Sequence, residues 1–220
     1  MRISAALLDR RTGRALAFGD GGPFAAASIV KVNIVAALLR RGHPLTAEER
    51  TLCAAAIRTS DNDATTALWT RLGGAPGLAA ANRALGLRST VPHPAWGRTL
   101  TTAADQIRLL DPLTRPGNAF LLDLMADVHP DQAWGVSAVA RPGESVALKN
   151  GWTPRDADAG AWTVHSIGRL TGPDRDLLIA VLSGGHPSLP DGITAVERAA
   201  ARAAARSAVS VRRPGGRPAR

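Results

Sequence analysis

Cysteine is nearly missing: Cys53 is the one copy in 220 residues, so an intrachain disulfide is excluded. With Leu52, Ala54, Ala55 and Ala56 around it, it reads as a small buried hydrophobe with no redox role. Long apolar runs are missing too. The best, Ile29 to Leu39, is broken by Lys31 and Asn33 and falls well short of the roughly 20 residues a membrane crossing needs. Met1 leads into Ile3–Leu8 with Asp9 behind it, which is no export leader; the chain as written is expected in the cytoplasm, or outside the cell if its true start lies elsewhere. Lysine is the oddest scarcity. Of 27 basic residues only Lys31 and Lys149 are lysine, and each is a candidate for work a guanidinium cannot do, such as giving up a proton.

What is present fits a globular protein: 45% apolar, 20% charged and 4% aromatic residues, with 22 Gly and 15 Pro, which excludes collagen, coiled coil and general disorder. At this length one compact unit is expected. The net charge of +9 gathers at the end, where residues 193–220 hold seven Arg against one Glu. A basic helix from Thr194 to about Ala208, then a disordered basic tail over 209–220, is the expectation. No aromatics are interleaved with these charges, so specific nucleic-acid binding is not expected.

Ile3–Asp9 and Arg14–Gly19 read as two strands around a Gly-containing turn, Arg11-Thr12-Gly13. Ser28 to Leu39 is apolar on nearly every side, the pattern of a helix buried all round. Thr46-Ala-Glu-Glu49 is a capping box starting a helix that runs to about Arg58, and Ala64–Leu72, Leu78–Leu85, Thr102–Leu110 and Ala119–Val128 carry helical spacing. Past Glu144 the period changes to strands at Val146–Lys149, Ala161–Leu170 and Asp176–Ser183, with turns at Thr153–Gly160 and Gly172–Asp174. The fold class is therefore α/β: a five-stranded antiparallel sheet covered by helices, with a helical lobe inserted between strands 2 and 3. The expected division is one domain over 1–208, made of an α/β lobe (1–27 and 140–208) and a helical lobe (28–139), with the cleft between them as the natural site.

Three short motifs fall beside that cleft. Ser28 and Lys31 lie three apart at the start of the central helix, so they share a face; the helix N-terminus favours an alkoxide at Ser28, and burial lowers the lysine pKa toward that of a usable base. Ser60-Asp61-Asn62 follows a helix, and Lys149-Asn150-Gly151 ends the first returning strand. Each alone has a bland reading, as an N-cap, a capping loop and a turn.

Together, Ser-x-x-Lys, Ser-Asp-Asn and Lys-x-Gly in this order resemble the motif set of class A β-lactamases and penicillin-binding proteins, and the likeness in element order spans nearly the whole chain. The resemblance implies a β-lactamase/transpeptidase-like fold and a serine hydrolase acting through an acyl-enzyme. Ser28 would be the nucleophile, Lys31 would take or relay its proton, and Ser60 would hand a proton to the departing nitrogen. Asn62 would hold the substrate's amide, Lys149 would draw its carboxylate, and the N–H groups of Ser28 and Trp152 would form the oxyanion hole. No metal or cofactor is implied, and the partner is a small-molecule or peptide-like acyl substrate bound by a monomer.

The chain departs from that pattern in places. No Glu occurs between Asn62 and Glu144, and Arg88–Thr101 also lacks Asp, so the acidic residue that frees the acyl-enzyme in class A enzymes has no counterpart. His93, between two prolines, is the candidate deacylation base there. Asn150 stands where Thr or Ser would bind the carboxylate, and its amide can still donate. Trp96, Trp134, Trp152 and Trp162 either line the cleft or anchor the core, and His165 is a candidate contact for an anionic substrate. A penicillin-binding-type protein or acyltransferase that deacylates slowly, and a non-catalytic binding homologue, remain as alternatives.

Overall fold

The computed structural model describes residues 1–115, 117–155 and 160–208. β1 (Arg2–Asp9) and β2 (Ala15–Gly19) form the opening hairpin, with Leu8 opposite Ala15. Its turn closes through Gly13, whose N–H donates to Asp9 O from a left-handed φ of 73°, a conformation cheap only for glycine. β5 (Ser145–Arg155), β6 (Ala161–Thr171) and β7 (Asp176–His186) return the chain to the sheet, whose order is β2-β1-β7-β6-β5, antiparallel throughout. Two strands thus open the fold and three close it, as the sequence predicts. β5, however, is longer than the period suggests. Thr153 and Pro154 continue the strand rather than starting the turn, which is tolerated because β5 is an edge strand with one unpaired side.

The sheet is buried on both faces, and the alternation of its residues shows how. Ala5, Leu7, Ile179 and Val181 face Val196, Ala199, Ala200 and Ala203 of α7 (Leu189–Ala208), while Ala6, Leu178, Ala180 and Leu182 face the helical side. α7 begins at Leu189, earlier than expected; residues 209–220, the predicted tail, lie outside the described residues. On the helical side α1 (Val30–Leu39) has nine of its ten residues buried, which fits its lack of a polar face. Around it stand α2 (Ala47–Arg58), α3 (Asn62–Leu72) and α4 (Gly74–Ala84), while α5 (Ala103–Leu113) packs on β1 and β7 and α6 (Ala119–Ala126) on β5. The predicted capping box is present: Thr46 Oγ1 accepts from Glu49 N, and Glu49 Oε2 accepts from Thr46 N.

The sequence pattern does not reveal two short strands that matter for the site. β3 (Phe24–Ala25) pairs with β4 (Leu100–Thr101), and Ala26 N donates to Thr99 O at 2.8 Å. This ties the segment entering Ser28 to the loop 88–101. That loop is fixed at its other end by Asp105, a fully buried carboxylate that accepts from Arg88 N, Ser89 N, Thr90 Oγ1 and Arg108 Nη1. Among the described residues no helix is long and apolar enough to cross a membrane.

Candidate active site

Ser28 lies in the 3-10 turn Ala27–Ile29 that runs directly into α1. Ala27, just before it, has φ 46°, a left-handed conformation costing roughly 1–2 kcal/mol for a residue with a Cβ. Ser60 has the same kind of strain, at φ 57°, and Ala27 and Ser60 are the two non-glycine positive-φ residues described. Backbone strain is therefore confined to the neighbourhood of these two serines. β5 closes against the turn at Gly151, where a Cβ would stand 2.8 Å from Ile29 N and 2.9 Å from Ser28 N. Glycine is needed there for close approach, since both neighbours are backbone atoms.

The two lysines meet at Ser60. Lys31 Nζ, wholly buried, donates to Ser60 O (2.6 Å), Asn62 Oδ1 (2.8 Å) and Ser60 Oγ (3.0 Å). These three bonds use every proton of its ammonium, and they run to the second motif rather than to Ser28. Lys149, 1% exposed, donates to Ser60 Oγ (3.0 Å) and Asn150 O (2.8 Å) from the middle of β5. Burial pushes the Lys31 amine down to about 8, with the Asp61 carboxylate opposing. Burial likewise holds Lys149 well below its ordinary value, and the charge of Lys31 adds to it. Asp61 itself is the N-cap of α3, accepting from Ala64 N at 2.7 Å, which sets Asn62 at the first turn of that helix.

A cleft of about 660 Å³ opens over this chain of hydrogen bonds, lined by Ser28, Asn62, Trp152 and Thr153 on the motif side and by Ala95, Trp96, Gly97 and Arg98 opposite. Ser28 and Asn62 of the first two motifs, and Trp152 beside the third, line it. Lys31, Ser60 and Lys149 lie in the hydrogen-bonded chain, and Gly151 packs against the backbone of Ser28 and Ile29. Trp96 and Trp152 line the cleft; Trp134 packs edge-on against Trp152 at 5.6 Å, and Trp162 joins the α7-side core.

Three expectations fail. Asn150 is fully buried and donates both protons of Nδ2, to Gln132 O (2.7 Å) and Trp134 O (3.1 Å); with no donor left it cannot bind a carboxylate. His93 is exposed and does not line the cleft; its Nδ1 accepts from Ala95 N at 3.0 Å, closing a local turn. His165 is buried behind the site, where Nδ1 accepts from Ser183 N (3.1 Å) and Nε2 donates to Ala25 O (2.8 Å). It holds β3 rather than a ligand. Cys53 is free and buried, its thiol pushed up to about 12 by burial, which fits an inert core residue.

One feature is not readable from the sequence: the Trp96 ring lies over Lys31 Nζ, 5.2 Å from its centroid. Trp96 Nε1 donates to Thr66 Oγ1, and Thr66 Oγ1 donates to Asn62 O. An indole thus occupies the wall beside Lys31.

The sheet order, the buried central helix and the placement of the motifs define the fold of a class A β-lactamase. Solved structures agree: a β-lactamase from Chitinophaga pinensis (TM-score 0.78, 16% identity, 93% of each chain), an ancestral class A β-lactamase (0.75, 22%, 94% of each chain) and the class A enzyme from Mycobacterium abscessus (0.74, 24%, 94% of this chain and 93% of that one). The profile of the beta-lactamase enzyme family matches residues 42–206, about three quarters of the chain, and the chain belongs to that family. Among curated relatives, "Putative lipoprotein LppW" of Mycobacterium tuberculosis and of Mycobacterium bovis is 27% identical over 98% of this chain and 70% of its own length. The family match begins after Lys31 and does not cover the Ser28–Lys31 pair.

Proposed function

We propose that the protein is a serine hydrolase that forms an acyl-enzyme on Ser28 with an amide of the β-lactam type or an ester. The observation that carries this reading is the chain Lys31–Ser60–Lys149, with Ser60 Oγ bonded to both amines at 3.0 Å, beside a half-buried serine in an open cleft. Ser28 Oγ bonds to the carbonyl carbon as its proton passes to the neutral amine of Lys31. The carbonyl oxygen takes the negative charge facing the N–H groups of Ser28 and Trp152. As the C–N bond breaks, a proton travels through Ser60 Oγ to the departing nitrogen, and Lys149 attracts the substrate's carboxylate. Hydrolysis then releases the acid and restores Ser28.

A second reading, a penicillin-binding-type protein or acyltransferase that acylates and deacylates slowly, is favoured by one fact: among the described residues, neither carboxylate nor imidazole lines the cleft. The mycobacterial relatives are named as lipoproteins, which supports a place outside the cytoplasm, lipid-anchored or secreted, over the cytoplasmic one expected from the first residues.

Intact-protein mass spectrometry over time with a penicillin and a chromogenic cephalosporin, on the wild type and Ser28→Ala, separates the readings. An adduct on the wild type alone that decays with colour release supports the hydrolase. One that persists supports the slow deacylator. No adduct and no colour overturns β-lactam acylation and leaves a non-catalytic homologue.

A further inference from the structure

We infer that Trp96 sets the lifetime of the acyl-enzyme by excluding water from the Lys31 side of the Ser28 ester. This rests on the proposed acylation of Ser28 and names the residue that governs release of the acyl group.

Releasing the acyl group to water requires a water oxygen to bond to the acyl carbon, a base to take its proton, and the C–Oγ bond to break with a proton returning to Ser28 Oγ. The water and the base must share one space beside the ester. Among the described residues, the cleft wall supplies no Asp, Glu or His. The amine nearest the nucleophile in sequence is Lys31, and it is sealed: its three protons go to Ser60 and Asn62, its exposure is 0%, and the indole face lies 5.2 Å from Nζ. A ring face offers water no in-plane hydrogen-bonding group. Trp96 thus removes the water's place beside Lys31.

The ring is held in position. Its Nε1 donates to Thr66 Oγ1 on α3. Its loop is pinned by the bridge Val91–Leu100, by Arg98 N to Ala95 O at 2.8 Å, and by the pairing of β4 with β3. The side chain that covers Lys31 and the segment that presents Ser28 therefore move as one piece. Access for water from this side requires loss of the indole and not a loop swing.

The test tracks adduct formation and adduct decay separately in wild type, Trp96→Phe and Trp96→Ala, using intact mass after a penicillin pulse and removal of excess drug. The expected result, whatever the acylation rate of each variant, is an adduct of Trp96→Ala that decays at least tenfold faster than that of wild type, with the adduct of Trp96→Phe decaying close to the wild-type rate. A purely structural role would slow acylation and lower the melting temperature without speeding decay, and Trp96→Phe reports on this if Trp96→Ala folds poorly. Equal decay in a folded Trp96→Ala, or faster decay in a folded Trp96→Phe when Trp96→Ala does not fold, overturns the inference while leaving the acylation reading intact. No adduct on the wild type overturns that reading and the inference with it.

Discussion

Lys31 and Lys149 share one acceptor, the hydroxyl of Ser60, each at 3.0 Å. Two buried ammonium groups on one oxygen repel, and desolvation penalises both, so the pair favours losing a proton. That makes Ser60 Oγ the bridge between two amines whose protons are held less tightly than usual: it accepts from both lysines and keeps its own proton to give.

Replacing Ser60 tests the bridge and the strain together. Ser60→Ala and Ser60→Gly both remove the hydroxyl, and both are expected to slow Ser28 acylation about a hundredfold or more. The φ of 57° suits glycine, so Ser60→Gly is expected to be more stable than Ser60→Ala by about 1 kcal/mol. Mass-resolved acylation and urea unfolding check the two halves.

The Lys31 amine, lowered to about 8, gives a pH dependence of definite sign. Acylation is expected to rise as pH climbs through about 8 and to level off above it, as the neutral base accumulates. Stability moves the same way. Between about 8 and the ordinary 10.5 the unfolded chain binds more protons than the folded one, so unfolding free energy rises with pH, by up to about 3 kcal/mol. Below 8 the cost of burying the charge is fully present. Denaturant titrations from pH 7 to 10.5 on wild type and Lys31→Met check this, with the variant expected to have the flatter profile.

Gly151→Ala is expected to reach Ser28 without touching its side chain. The added methyl would press on the N–H groups of Ser28 and Ile29, costing about 1–3 kcal/mol and displacing an oxyanion donor. A tenfold or greater loss of acylation, with far-UV circular dichroism unchanged, is the expected outcome.

Asn150→Ala separates a structural from a binding role. It would leave the carbonyls of Gln132 and Trp134 without their donor, a loss of about 2 kcal/mol. KM for a carboxylate-bearing substrate is expected to stay within about twofold, whereas Lys149→Ala raises it. Steady-state kinetics or adduct titration distinguishes these.

The motifs are legible because chemistry is carried by residue identity: two lysines in an arginine-rich chain, each beside a serine or glycine at family spacing. α1 is legible because it has no polar face, and α2 because Thr46 and Glu49 spell its cap. The side of β5 that Asn150 faces is not, since alternation along an edge strand says which residues share a face and not what each face meets. The extent of β5 is hidden by Pro154, which reads as a turn until the unpaired edge is known. Trp96 over Lys31 depends on a contact across 65 positions made by β3 and β4, strands of two residues each, too short to show a period. Ala27 carries positive φ with a residue type that never advertises it.

The strand order β2-β1-β7-β6-β5 joins the first hairpin to the rest of the sheet only through β7, the last strand made. Until residues 176–186 leave the ribosome, β1–β2 and β5–β6 are two separate ribbons with no seam, and the helices have half a platform to pack on. Ser28, Lys31, Ser60 and Lys149 therefore acquire their final spacing late in synthesis. A nascent chain stalled before β7 would have every motif residue and no working centre.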